Sequence, residues 1–439
     1  MVDTVHLEAY RMIYFEQGAH DAVLRDQDIR GGLAEALQKI GPKKRVLAIP
    51  PDMTRYHSMA GRLTEMIWEY YGERLSYVLP ALGTHSVMTG EEIEKMFGAV
   101  PQSIFRVHDW RNDVVSLGDV PASFVETASE GRISYSWPAQ VNRLLVEGQH
   151  DLILSIGQVV PHEVIGMANY NKNIFMGTGG PEGINKSHFL GAAYGMERIM
   201  GRAKSPVRDV LNYASEHFAS ELPVIYVLTV VGRKQEGALV VRGLFIGDDE
   251  ECFLKAARLS LEVNFQMLEQ PLSKVVVYLD PEEFKSTWLG NKSIYRTRMA
   301  IANGGELVVL APGLKEFGED GEIDRLIRKY GYQTTPEILK AVEENSELQE
   351  NLSAAAHLIH GSTEGRFSVC YCPGHLTREE IESVNYRFGE LDELTARYDP
   401  RILKDGYNTM PDGELIYYIS NPALGLWSWK EKFKSEADD

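Results

Sequence analysis

Three apolar runs in this chain end in side chains that can do chemistry. Arg45–Ile49 (RVLAI) stops at Pro50-Pro51 and leads into Asp52-Met53-Thr54-Arg55. Ser76–Leu79 runs on through Ala81-Leu82 to Gly83-Thr84-His85, and Leu152–Ile156 (LILSI) stops at Gly157 and leads to His162. An imidazole takes or gives a proton near neutrality, and a guanidinium grips an oxyanion with two parallel hydrogen bonds. Open α/β sheets bind ligands at the carboxyl ends of their strands, so the three strand ends are expected to deliver this acid, this guanidinium and these two histidines to one edge. Next comes GMANYNKNIFMGTGGPEGINKSHFLG, dense in Gly and Asn around Lys172 and closing on His188. Its glycines, Gly177 and Gly180 among them, let backbone approach a ligand closely. They form neither G-x-G-x-x-G nor a P-loop, so a dinucleotide or Walker-type site is not supported.

The elements that must hold these residues alternate. GRLTEMIWEYYG is apolar at helical spacing, and Thr89 with Glu92 has the spacing of a capping box. Strands alternating with helices argue for a mostly parallel α/β sheet. Ser205-Pro206 opens a helix running to about Leu222. PVIYVLTVVG and ALVVRGLFIGD read as a hairpin, and EECFLKAARLSLEVNFQMLEQ as one long helix ending before Pro271. A second alternation follows, with KVVVYLD, GELVVLAPG and RFSVCYC as strands, helical segments around Pro336–Glu347 and Leu348–Ile359, and a further helix opened by Thr377 with Glu380. The expected fold is therefore two α/β domains with mostly parallel sheets and the active site in the cleft between them. The boundaries fall at 1–271 and 272–406, and a tail, 407–439, is expected to return to the first domain.

The chain has 439 residues and a formal net charge of -18. That charge argues against a nucleic-acid partner, which needs a basic face, and an anionic small molecule would need a local basic pocket. Cys252, Cys370 and Cys372 complete no zinc set and imply no disulfide framework. The N-terminus lacks a basic start and an apolar core, and no apolar stretch has membrane-spanning length. The expectation is a cytoplasmic protein without a membrane partner.

The order and spacing of the candidate residues resemble the nickel-pincer lactate racemases and their relatives. That family has an Asp-x-Thr-Arg loop, similar to Asp52 through Arg55, and Gly-x-His after a strand, similar to Gly83-Thr84-His85. It has a histidine followed ten residues later by a lysine, as His162 is by Lys172, and a histidine sixteen residues further on, as His188 is.

The resemblance implies that Lys172 carries pyridinium-3,5-bisthiocarboxylic acid mononucleotide, the nickel-pincer cofactor, with His188 as a ligand of the nickel. Sulfur donors with an imidazole in a square plane suit Ni(II). Asp52, Thr54, Gly177 and Gly180 would contact the cofactor, and Asp52 is expected to orient Arg55 or bond the ribose. The reaction would invert C2 of a 2-hydroxy acid: one histidine takes the hydroxyl proton while hydride leaves C2, giving a planar 2-oxo acid that accepts the hydride on its other face. His85 and His162 would be the acid/base pair. Cofactor biosynthesis proteins are the implied partners.

Two departures bear on the substrate. The racemases have Ser-Gly-Gly where this chain has Ala168-Asn169-Tyr170, so an altered backbone is expected there, with Asn169 and Asn171 adding bonds to cofactor or substrate. They have Tyr-Gln followed by a lysine three residues on, where this chain has Tyr295-Arg296 and Met299. Arg55, Tyr295, Arg296 and Arg298 are the expected substrate contacts, with Lys292 near. The pocket points away from lactate and towards a larger, more polar acid, such as a sugar acid.

Bland readings stand beside these. His57 reads as a turn residue, His108 as support, and His357 and His360, three apart on a helix, as core or solvated residues. Tyr295 and Trp288 serve packing as readily as contact. Two other functions compete: a cofactor-free binding protein for an anionic small molecule, and a zinc-dependent hydrolase. The first domain has no H-x-x-x-H for zinc.

Overall fold

A computed structural model of the chain describes residues 12–233 and 238–438. Its first sheet is built from β1 (Ile13–Gly18), β2 (Val46–Ile49), β3 (Leu75–Val78), β4 (Leu152–Gln158), β5 (Val224–Arg233) and β6 (Leu239–Gly247), in the order β1-β6-β5-β4-β2-β3. β5, β4, β2 and β3 run parallel, and the β5–β6 hairpin and β1 add antiparallel pairings at one edge. β2 and β4 are buried along their whole length, as strands covered on both faces are.

The strand order reverses between β2 and β4: the chain steps outward from β2 to β3, then returns across β2 to β4. Loops leaving the carboxyl ends of two such strands diverge and leave a crevice, the usual ligand position in an open α/β sheet. Asp52 follows β2 and His162 follows β4. Strands lie about 4.8 Å apart, so the loops after β4 and β3 leave the sheet roughly 10 Å from one another.

The second sheet joins β7 (Leu272–Tyr278), β8 (Ile301–Ala311), β9 (Ser368–Pro373), β10 (Arg387–Phe388), β11 (Gly406–Thr409) and β12 (Leu415–Ile419), in the order β10-β9-β8-β7-β12-β11. All its neighbours are parallel except β11 and β12. The chain is thus a mixed α/β protein with two mostly parallel sheets.

Four helices hold or flank the candidate residues: α1 (Pro181–Tyr194), α2 (Pro206–Phe218), α3 (Lys292–Thr297) and α4 (Leu352–His360). α2 opens as its sequence suggests, with Ser205 Oγ accepting from the Arg208 N–H at 3.1 Å and Pro206 in the first turn. Thr89 and Thr377 both cap helices in the box arrangement.

The long helix expected to reach Pro271 stops instead at Asn264. Phe265–Leu268 becomes a strand, paired in parallel with Leu426–Trp429 near the C-terminus. Beyond it, Arg202 Nη2 donates to the Phe433 carbonyl at 2.7 Å. Among the described residues no helix is long and apolar enough to cross a membrane.

Candidate active site

Asp52 caps the turn after β2 by accepting from the Thr54 N–H at 3.0 Å. Its other oxygen, Oδ2, lies 2.5 Å from His85 Nδ1. Asp52 was expected to serve Arg55 or a ribose; in the structure it serves His85 and Thr54, because the β2 and β3 loops are neighbours. The His85 loop is pinned to the segment after Lys172 by Gly83, whose N–H donates to the Gly177 carbonyl at 2.8 Å. Burial works to raise the Asp52 carboxyl, but its bonds to His85 and Thr54 outweigh this and hold it below the usual carboxylate range.

Lys172 stands at the start of a π-helical turn, Asn173–Gly177, a rare geometry that recurs at functional sites. Asn173 Nδ2 ties this turn to the sheet by donating to the Ile49 carbonyl (2.9 Å) and Ser155 Oγ (3.0 Å), on β2 and β4. Asn169 and Tyr170 both have positive φ, 67° and 59°. This is the region glycine enters freely, and here Asn169 and Tyr170 hold it with full side chains.

The turn is held from within the protein. Tyr170 stacks on Phe253 with centroids 5.1 Å apart, and the buried Arg208 of α2 donates to the Met167 and Asn169 carbonyls and to Asn171 Oδ1. Asn171 also donates to Asn212 at 2.7 Å. The expected role of Asn171 towards a ligand therefore gives way to an internal one. Gly177 and Gly180 are likewise required by packing: a side chain would press on Ala81 at Gly177 and on Gln140 at Gly180.

Lys172, His188 and Lys292 are partly exposed residues flanked by buried ones, and His162 and Glu163 form a partly exposed pair between buried neighbours, as residues lining a recess do. Burial, and then the Arg55 charge, push the ammonium groups of Lys172 and Lys292 down to about 8 each. Burial also holds His162 well below its usual value, and lowers His188 and His57. His188 Nδ1 bonds the Ile184 carbonyl at 2.7 Å, which leaves Nε2 for a ligand. His162 Nδ1 accepts from the Val164 N–H at 3.1 Å.

Glu163 escaped the sequence reading, and the structure puts it at the centre of this field. Burial would raise its carboxyl, but His162, Arg296 and Lys292 beside it keep it ionised, well below the usual range. Arg296 reaches across from α3, donating to the Pro161 carbonyl at 2.6 Å and standing 3.7 Å from Glu163. A carboxylate next to a histidine carries no local signal; its cationic partners Arg296 and Lys292 lie more than a hundred residues away.

The other expected substrate contacts are placed differently. Arg298 is committed to Glu197 at 2.9 Å, and Tyr295 donates to or accepts from His357 Nδ1 at 2.8 Å. His108 supports the glycine-rich turn, bonding the Gly179 carbonyl at 3.0 Å. Among the described residues no three of His, Cys, Asp and Glu gather so as to hold a metal ion.

Residues 31–198 match the family model for the lactate racemase N-terminal domain. No curated protein matches the sequence. Two solved structures share the fold. A Thermotoga maritima protein aligns over 94% of this chain and 100% of its own, with 24% identity and a TM-score of 0.80. The lactate racemase apoprotein from Thermoanaerobacterium thermosaccharolyticum aligns over 92% of this chain and 89% of its own, with 17% identity and a TM-score of 0.65. Through residues 31–198, this chain is similar to the lactate racemase N-terminal domain.

Proposed function

We propose that the chain is a racemase or epimerase that inverts C2 of a 2-hydroxy acid, using a nickel-pincer nucleotide tethered to Lys172. One observation carries this reading: Lys172 shares an electrostatic neighbourhood with His162, His188 and Arg55, and through Arg55 and Glu163 with Lys292 and Arg296. In a chain of net charge -18, so local a gathering of cations asks for an anion.

The residues present fit the cofactor. A lysine pushed down to about 8 offers far more unprotonated amine near neutrality than an ordinary one. His188 can offer one nitrogen, and a metal lacking a protein-only ligand set must bring its other donors with it. When bound, such a group supplies a reversible hydride acceptor.

The chain's own residues do the rest. Arg55 and Lys292 hold the substrate carboxylate. Glu163 holds Arg296 and offsets the surplus positive charge. His85, oriented by Asp52, takes the hydroxyl proton through Nε2. His162 stands on the opposite side in this reading and serves the other enantiomer. In this reading the recess lies between the two α/β units, and their apposition keeps water from the reacting carbon.

The substrate is a 2-hydroxy acid more polar than lactate, such as a sugar acid, and with several stereocentres the reaction is epimerisation. All three cysteines are free and buried, which suits the cytoplasm, where cofactor biosynthesis proteins would load the chain.

The test is the intact mass of the protein made together with those biosynthesis proteins, followed by NMR of C2-deuterated 2-hydroxy acids. A nucleotide-sized adduct on Lys172 and inversion with deuterium retained at C2 are expected, and Lys172→Ala should lose both. Inversion by Lys172→Ala would end the proposal. Tight binding of a carboxylate with neither adduct nor inversion would favour the binding protein instead.

A further inference from the structure

His162 sits on one arm of a very small hairpin. Pro161–His162 pairs antiparallel with Gly166–Met167, and Ala168 extends the pairing by donating its N–H to the Val160 carbonyl at 2.8 Å. So short a ladder is weak, since even longer isolated hairpins are marginal in water. The ring is fixed within the hairpin by one bond, from the Val164 N–H to Nδ1 at 3.1 Å. An acid/base group needs closer control than this, because a misplacement of about 1 Å can cost roughly 10²-fold in rate.

The control comes from the second α/β unit. Arg296 of α3 donates through Nη1 to the Pro161 carbonyl at 2.6 Å, and its Nη2 stands 3.7 Å from the Glu163 carboxylate. The guanidinium thus engages the residue before His162 and the residue after it. Pro161 has no N–H, so its carbonyl is the only backbone hydrogen-bonding group it can offer, and Arg296 takes it. Arg296 is 6% exposed, and among the described residues this is the only hydrogen bond its guanidinium makes. The sequence puts Arg296 among the substrate contacts; the geometry commits it to the protein instead.

We propose that Arg296 is a positioning residue: from the second α/β unit it clamps Pro161 and Glu163, and so holds the His162 imidazole at its working angle. The inference deepens the reading of His162 as one of the acid/base pair and rests on it. Arginine suits the task, because a planar fork spans two acceptors in fixed geometry where an ammonium is a single point. Lys292, four residues earlier, shares this face of α3. One short helix therefore brings both the lysine for the substrate carboxylate and the clamp for the histidine, and the aim of His162 depends on contact between the two units.

The experiment compares Arg296→Gln and Arg296→Lys with the wild type. Backbone amide exchange at Val164 is followed first, in the cofactor-free chain, because that N–H reports the hold on the His162 ring. Arg296→Gln should speed it at least about tenfold, the value of one good hydrogen bond. Arg296→Lys keeps a charge opposite Glu163 and should restore part of the protection. Arg366→Gln weakens the contact between the units at Glu197 without touching the hairpin, and should leave Val164 at its wild-type rate. The second readout is inversion of glycerate by loaded protein, counted per chain carrying the adduct. Arg296→Gln should lower kcat by about 10²-fold with KM little changed, and Arg296→Lys should fall between.

Unchanged exchange at Val164 in both Arg296 variants, or equal acceleration in Arg366→Gln, would overturn the clamp and leave the reading of the site standing. A raised KM at unchanged kcat would make Arg296 a substrate contact and overturn it too. A loaded wild type that inverts neither glycerate nor any other 2-hydroxy acid would end the reading of the site, and exchange at Val164 would then decide the clamp alone.

Discussion

His85 Nδ1 stands 2.5 Å from Asp52 Oδ2, with the carboxylate side chain 5% exposed and the imidazole side chain 41%. The ionised Asp52 makes Nδ1 the protonated nitrogen, which frees the Nε2 lone pair to act as a base. His162 is set the other way: its Nδ1 accepts from Val164, so in the neutral ring Nε2 carries the proton. At rest His85 presents a lone pair at Nε2 and His162 a hydrogen-bond donor. Asp52→Asn should remove that bias and lower the rate of C2 inversion by about 10²–10⁴-fold, with KM and adduct mass little changed. Inversion at the wild-type rate would show that Asp52 does not orient His85.

Acid should destabilise the fold earlier than carboxylates alone would dictate. Burial holds His357 and His360 at about 3 and His150 at about 4. Below about 6.5 the unfolded chain takes up protons that these rings refuse in the fold, so their stability contribution is complete above that pH and is lost as pH falls. Glu163 and Glu197 have depressed carboxyls, so their contribution is lost only below about 4.5. Urea unfolding between pH 8 and 4.5 should show stability declining from about 6.5. His150 lies against Tyr77, away from the recess. His150→Leu should flatten the decline by about 1.4 kcal/mol per pH unit, and an unchanged slope would refute the assignment.

Glu197 gathers three cations: Arg298 at 2.9 Å, Arg366 at 2.6 Å and Lys432 at 2.8 Å. They come from the end of α3, the approach to β9 and the C-terminal helix, while Glu197 belongs to the first α/β unit. Removing the one acid strands buried positive charge. Glu197→Gln should cost about 3–5 kcal/mol in chemical denaturation and speed amide exchange in Leu426–Trp429. A loss below about 1 kcal/mol would show that the cluster is solvated in practice.

Much of this was legible before the structure. The strand ends at Asp52, His85 and His162 could be read because buried parallel strands are short apolar runs stopped by Pro or Gly. The neighbourliness of those ends could not, since the order β3-β2-β4 is a property of the sheet and leaves no trace in spacing. Phe265–Leu268 continues a helical pattern without interruption, and its strand partner, Leu426–Trp429, lies far along the chain, so local periodicity pointed the wrong way. Arg296 read as a substrate contact, and only the fold shows it bonded to the Pro161 carbonyl. Arg298 looked like a substrate cation because its partner, Glu197, is a distant acid on a helix full of ordinary residues.

The turn before Lys172 sets two magnitudes against each other. Tyr170 holds a φ of 59°, which costs an ordinary side chain roughly 1–2 kcal/mol, and glycine would relieve it. The ring is also 7% exposed, stacked on Phe253 and tilted on Tyr226 at 4.5 Å. Deleting a buried aromatic ring costs about 3–5 kcal/mol. Burial should win, so Tyr170→Gly is expected to lose about 1–4 kcal/mol in urea unfolding, the difference of those two magnitudes. The loss should also reach function, because the same turn aims Lys172: the fraction of chains carrying the adduct mass should fall even at temperatures where the variant is fully folded. A Tyr170→Gly chain more stable than the wild type would mean that the left-handed strain outweighs the ring, and that the aromatic stack does not hold the lysine in place.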